Sequence, residues 1–151
     1  MRKMENYTYK RWPKMWRLWK RHRLDSPLEE LVTYDNYMTH GHLYYFQYLK
    51  KDYDIKRNIW IIKKYLSNEM IQNLDKAYQI YQDNLELIND KKLSDFELEN
   101  LFMEVDEAFY DDSYEMTKII MKELSDYTDI KIFNFRKKNK VIRKLKSSKK
   151  S

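Results

Sequence analysis

A single glycine, Gly41, has to serve all 151 residues, and that scarcity constrains the fold before any periodicity is counted. Tight β-turns draw on glycine for positive φ, so an all-β chain would lack the residues its turns require, and helices are favoured. The apolar spacing agrees. Pro13 suits a first helical turn, with Trp12, Met15, Trp16 and Trp19 on one side and Lys14, Arg17, Lys20 and Arg21 on the other. Asp25-Ser26-Pro27 is expected to end that helix. Ser26 and Glu29 have the spacing of a capping box for the next, with Pro27 at its first position. There Leu28, Leu31 and Val32 face inward, and Gly41 is the natural C-cap.

Residues 42–53 read as a helix through Leu43, Phe46 and Leu49, although their tyrosine density also suits a strand. Asp54 is placed to cap a segment in which Ile55, Ile59, Ile62 and Leu66 form one stripe, and Ser67 to cap a long helix reaching about Ile88. Ser94 and Glu97 form a second capping box ahead of the stripe Leu98, Leu101, Phe102, Val105, Ala108 and Phe109. Asp112 or Ser113 then caps a final helix with Met116, Ile120, Leu124 and Tyr127 inward. The expectation is one all-α domain of five or six amphipathic helices, with a basic Trp-rich helix at the N-terminus and a mobile basic arm at the C-terminus.

Charge divides the chain into three. Residues 1–24 carry nine Lys/Arg and one acid, and residues 130–151 carry ten Lys/Arg and none. Residues 25–129 hold 11 basic and 23 acidic side chains, so two cationic ends of +8 and +10 flank a body of −12. Such a layout suits phosphate-binding ends on a protein-docking body. The reading is therefore a basic aromatic N-terminal arm or helix (1–24), an acidic helical body (25–129) and a basic C-terminal arm (130–151).

Three tryptophans among cations make the first candidate site: Arg11, Trp12, Lys14, Trp16, Arg17, Trp19, Lys20 and Arg21. Cations neutralise phosphates while flat rings stack on exposed bases, which is how nucleic acid is held without sequence readout. The same pattern describes a helix lying on an anionic membrane, or simply tryptophans closing a core above a solvated basic face. A second candidate is Arg136, Lys137, Lys138, Lys140, Arg143, Lys144 and Lys146, a block suited to phosphate contact whose bland reading is a solubilising end folded back on the acidic body. The third is acidic. Residues 83–115 hold twelve Asp/Glu against Lys91 and Lys92, and Glu104, Glu107 and Asp111 fall on one helical face. They suit a basic protein surface, whereas carboxylates alone are a weak metal signature and most such faces are merely solvated. His40 and His42 read as polar residues flanking the Gly41 cap, with no third ligand at a recognisable spacing.

Catalysis finds little footing. There is no cysteine, no Gly-rich phosphate loop and no His-Glu-x-x-His, while Ser26, Ser67, Ser94 and Ser113 are taken up as helix caps. No cofactor is implied. Without a long apolar run or a signal-like N-terminus, the expected setting is the cytoplasm, or a virion, since the Lys/Asn/Ile/Tyr bias resembles an AT-rich bacterial virus or mobile element. The leading expectation is a non-catalytic nucleic-acid-associated protein binding DNA or RNA through its arms. The alternative is a structural or regulatory interaction subunit, with membrane-surface binding third.

Overall fold

The computed structural model describes residues 2–52 and 54–126, with side chains for residues 11–49 and 54–126. The described chain is all-α, without a strand. In order it forms α1 (Arg2–Lys20), α2 (Leu28–Tyr37), a 3-10 turn (Met38–His40), α3 (His42–Asp52), α4 (Ile55–Ile62), α5 (Asn68–Asp83), α6 (Leu85–Asn89), α7 (Asp95–Asp111) and α8 (113–126). That is more segments than the five or six expected. The expected C-terminal arm and Tyr127 lie outside the described residues.

Local signals explain the starts of α4, α5 and α7. Asp54 and Ser67 adopt extended backbone and accept from the N–H groups of Arg57 and Met70, while Ser94 and Glu97 complete both bonds of a capping box. Helix ends use a device that composition hides. His22 (φ 53) and Lys91 (φ 53) take the left-handed position usually given to glycine. Each supports a Schellman pair: Arg23 and His22 N–H donate to Leu18 and Trp19 carbonyls, and Lys92 and Lys91 N–H to those of Leu87 and Ile88.

Three expectations are corrected. Pro13 lies inside α1 rather than at its first turn, because its fixed φ fits a helix and a single missing N–H need not stop one that neighbouring turns sustain. Ser26 is not the N-cap of α2. The helix starts after Pro27, which makes no side-chain cap bond, and the Ser26 hydroxyl donates to the Glu30 carboxylate at 2.5 Å. The long helix from Ser67 breaks at Asn84 (φ −111, ψ 13), whose side-chain amide donates to the Ile80 carbonyl at 2.9 Å and so closes α5 before α6 begins.

The inward stripes meet in one core. Leu28, Leu31, Val32, Phe46, Leu49, Ile62, Leu74, Met116, Ile120 and Leu124 are fully buried, and Met15 brings α1 into the same cluster. α5 and α7 pack extensively against each other. Polar tethers run between helices: the Asn73 amide donates to the Val105 carbonyl at 2.9 Å, and the buried Tyr45 hydroxyl donates to buried Asn58. Tyrosines take part in this core. Tyr34 and Tyr45 are among the largest buried side chains, their rings 4.8 Å apart, and Phe109 meets Tyr34 edge-on at 5.2 Å. Each such pair contributes roughly 0.5–1.5 kcal/mol beyond the area it buries.

Candidate nucleic-acid interface

α1 is amphipathic about Met15, which is wholly buried. Trp12, Trp16 and Trp19 lie half-buried against the core and meet one another edge-on at 6.3 and 5.5 Å. The Trp19 indole N–H donates to the Thr33 hydroxyl of α2 at 2.8 Å, and its ring meets Tyr37 at 6.2 Å. These contacts favour the packing reading of the tryptophans: they weld α1 to α2. Arg17, about 200° round the helix from Met15, is exposed, as are Lys20 and Arg21, whereas Arg11 and Lys14 are half-buried. Arg17, Lys20 and Arg21 make no ion pair among the described residues. The second cationic candidate, Arg136, Lys137, Lys138, Lys140, Arg143, Lys144 and Lys146, lies outside the described residues.

On α7, Glu104, Glu107 and Asp111 are all exposed, as their helical spacing predicts. Glu104 pairs with Lys76 of α5 at 2.8 Å, and the hydrogen bond and charge of that lysine hold its carboxyl below the ordinary carboxylate value. Asp75 similarly takes Lys63 at 2.8 Å. Acids of the body thus bind lysines of the body. Phe96, Met103 and Tyr110, seven residues apart along α7, are exposed beside these acids. No group of three His, Cys, Asp or Glu among the described residues is arranged to hold a metal ion, and no described helix is long and apolar enough to cross a membrane.

His42 departs from its sequence reading. It does not meet a helix C-terminus: it is the first residue of α3, wholly buried, and bonded at both ring nitrogens. Nδ1 lies 2.7 Å from Asp106 Oδ1 on α7, and Nε2 lies 3.1 Å from the Tyr34 hydroxyl. A carboxylate only accepts, so Nδ1–H donates to Asp106 and Nε2 accepts from Tyr34 in the neutral ring. The His42 backbone N–H also donates to Asp106 Oδ1, at 2.9 Å. Burial foremost, then the charges of Asp106 and Asp35, pushes the Tyr34 hydroxyl far above the ordinary tyrosine range. Enclosed as it is, this chain of groups fastens α2, α3 and α7 together. His40, by contrast, is exposed, its ring 4.6 Å from Tyr44.

Asp35 gives the fold a pH dependence. Burial pushes its carboxyl from 3.8 up to about 6. The folded chain therefore holds a proton that the unfolded chain has already released, and stability falls as pH rises from about 4 to about 6. Above that window the penalty is fully present, bounded at roughly 3 kcal/mol for a shift of about two units. Asp35→Asn is expected to raise the thermal midpoint at about pH 7.5 and leave it unchanged near pH 4. A gain of equal size at both would show that the ionised carboxylate is not the cause.

Two features escaped the sequence reading. His42 and Asp106 are separated by 64 residues and by no periodic signal. Trp60, by contrast, stands 63 % exposed with Lys56 and Lys64 four residues to either side, and that spacing was visible. Comparison of the chain with protein-family models, with curated proteins and with solved structures finds no match in any of the three, so its exposed side chains alone argue for what it binds.

Proposed function

We propose that this protein is a non-catalytic nucleic-acid-associated helical protein, using basic termini for largely sequence-independent phosphate contact and its acidic body for docking a protein. The supporting observation is that Arg17, Lys20 and Arg21 face solvent without an ion pair among the described residues, while the acids Asp75 and Glu104 are met by Lys63 and Lys76 of the body. Positive charge on α1 is thereby left for an external polyanion. Because the tryptophans fix α1 to α2, those cations stand on a rigid element, which lowers the entropy of engaging a phosphate row. The docking half of the reading draws on Phe96, Met103 and Tyr110 beside Glu104, Glu107 and Asp111, an apolar row with an acidic border that suits a basic amphipathic partner. A structural or regulatory subunit would use this face first.

Binding of labelled single- and double-stranded oligonucleotides across a salt series tests the reading. Arg17→Ala/Lys20→Ala/Arg21→Ala is expected to flatten the slope of log K against log salt by about 2 and to weaken binding at least tenfold. Removing residues 136–151 is expected to flatten it further, whereas Glu107→Gln/Asp111→Gln leaves it unchanged. Equal slopes for the parent and the triple variant would take α1 out of the interface. No binding to either form at low salt would end the proposal.

A further inference from the structure

Between α4 and α5 lies an open pocket of about 470 Å³ lined by Lys56, Ile59, Trp60, Lys63, Lys64, Asp75 and Tyr78. Its composition differs from the rest of the body. Three lysines meet one acid, and the Lys63–Asp75 pair at 2.8 Å cancels one charge of each sign. Lys56 and Lys64 are left exposed and without an ion pair among the described residues. They flank Trp60, whose ring is 63 % exposed and carries the Lys64 ammonium 3.5 Å from its centroid. Ile59 and Tyr78 supply an apolar wall beneath.

Trp12, Trp16 and Trp19 lie half-buried against the core, whereas Trp60 stands exposed, and that difference calls for a reason. Here a flat ring, an apolar wall and two ammonium groups outside any ion pair among the described residues line one pocket, and a nucleotide has the matching parts, a planar base joined to a phosphate. We propose that this pocket takes one unpaired nucleotide of a single strand, the base stacking on Trp60 and its phosphates held by Lys56 and Lys64. The inference rests on the nucleic-acid reading above and adds to it a preference for single strands. In a duplex the bases are already stacked on each other and leave no face for the indole. Lys64 then exchanges its place over the ring for a phosphate oxygen, a stronger partner for an ammonium than a π face.

Tryptophan emission and affinity, measured with an oligothymidylate, a blunt duplex and AMP at low salt, test it. The oligothymidylate is expected to quench emission and to bind more tightly than the duplex. Trp60→Ala should abolish the quench and weaken strand binding roughly tenfold, and Trp60→Phe should recover most of that affinity without the emission signal. Lys56→Ala/Lys64→Ala should weaken it comparably. The quench should survive in Arg17→Ala/Lys20→Ala/Arg21→Ala once the strand is saturating. Trp60 is exposed, so circular dichroism should show each of its variants folded. Strand binding equal in the parent and Trp60→Ala would overturn this inference while leaving the nucleic-acid reading intact. Quenching by AMP without strand binding would assign the pocket to a free nucleotide and overturn both. Displacement of the strand by oligoglutamate at equal concentration would mean that charge alone is recognised, and would overturn the stacking site.

Discussion

Replacing His42 with alanine is expected to destabilise the fold by about 3–5 kcal/mol, more than any surface substitution discussed above. Two losses combine. The imidazole is wholly buried, so its removal opens a cavity that the surrounding Tyr34, Phe46 and Phe109 rings fill only in part. It is also the acceptor for the Tyr34 hydroxyl, which would be stranded inside the core, and a stranded buried hydroxyl costs roughly 1–3 kcal/mol. Asp106 suffers less, since its side chain is 22 % exposed and water can replace the imidazole there. Tyr34→Phe removes the hydroxyl itself and should cost less than His42→Ala. Chemical denaturation followed by circular dichroism measures both, and a loss under about 1 kcal/mol for His42→Ala would show that the buried imidazole holds nothing together.

Gly41→Ala is expected to cost about 2–4 kcal/mol, partly through backbone strain and partly through Asp106. Gly41 has φ 95 and ψ 172, a conformation that L side chains rarely adopt, and this alone accounts for roughly 1–3 kcal/mol. A Cβ there would also stand 2.7 Å from Asp106 Oδ2. A free carboxylate would swing aside. This one is held by the His42 ring and the His42 backbone N–H, so moving it breaks two charge-assisted bonds. The two sources separate in a double-mutant cycle: in an Asp106→Ala background the steric part vanishes and only backbone strain remains. Strictly additive energies would show that the carboxylate is not the obstacle.

What could be foreseen from the residues was mostly short-range. Asp54, Ser67 and the Ser94–Glu97 box each act within three residues, so spacing alone identifies them. Leu28, Leu31 and Val32, like Met116, Ile120 and Leu124, follow helical period and are buried accordingly. Asn84 gave no warning, because a polar residue within a long stripe reads as an outward position until its amide turns back to Ile80. The Tyr45 hydroxyl finds buried Asn58 across α3 and α4, a pairing no periodicity reveals. The cationic face of α1 was legible as a pattern, and its tryptophans could be assigned to packing only once Thr33 and Tyr37 were seen beside them.

The bond between His42 and Asp106 also has a consequence for synthesis on the ribosome. A nascent chain that has released α2 and α3 already carries the imidazole and the Tyr34 hydroxyl, but their acidic partner is 64 residues behind and still in or near the exit tunnel. Until α7 emerges, the His42 ring lacks the carboxylate that its Nδ1–H meets in the folded chain, so the fastening of α3 to α7 waits on the later half of the sequence.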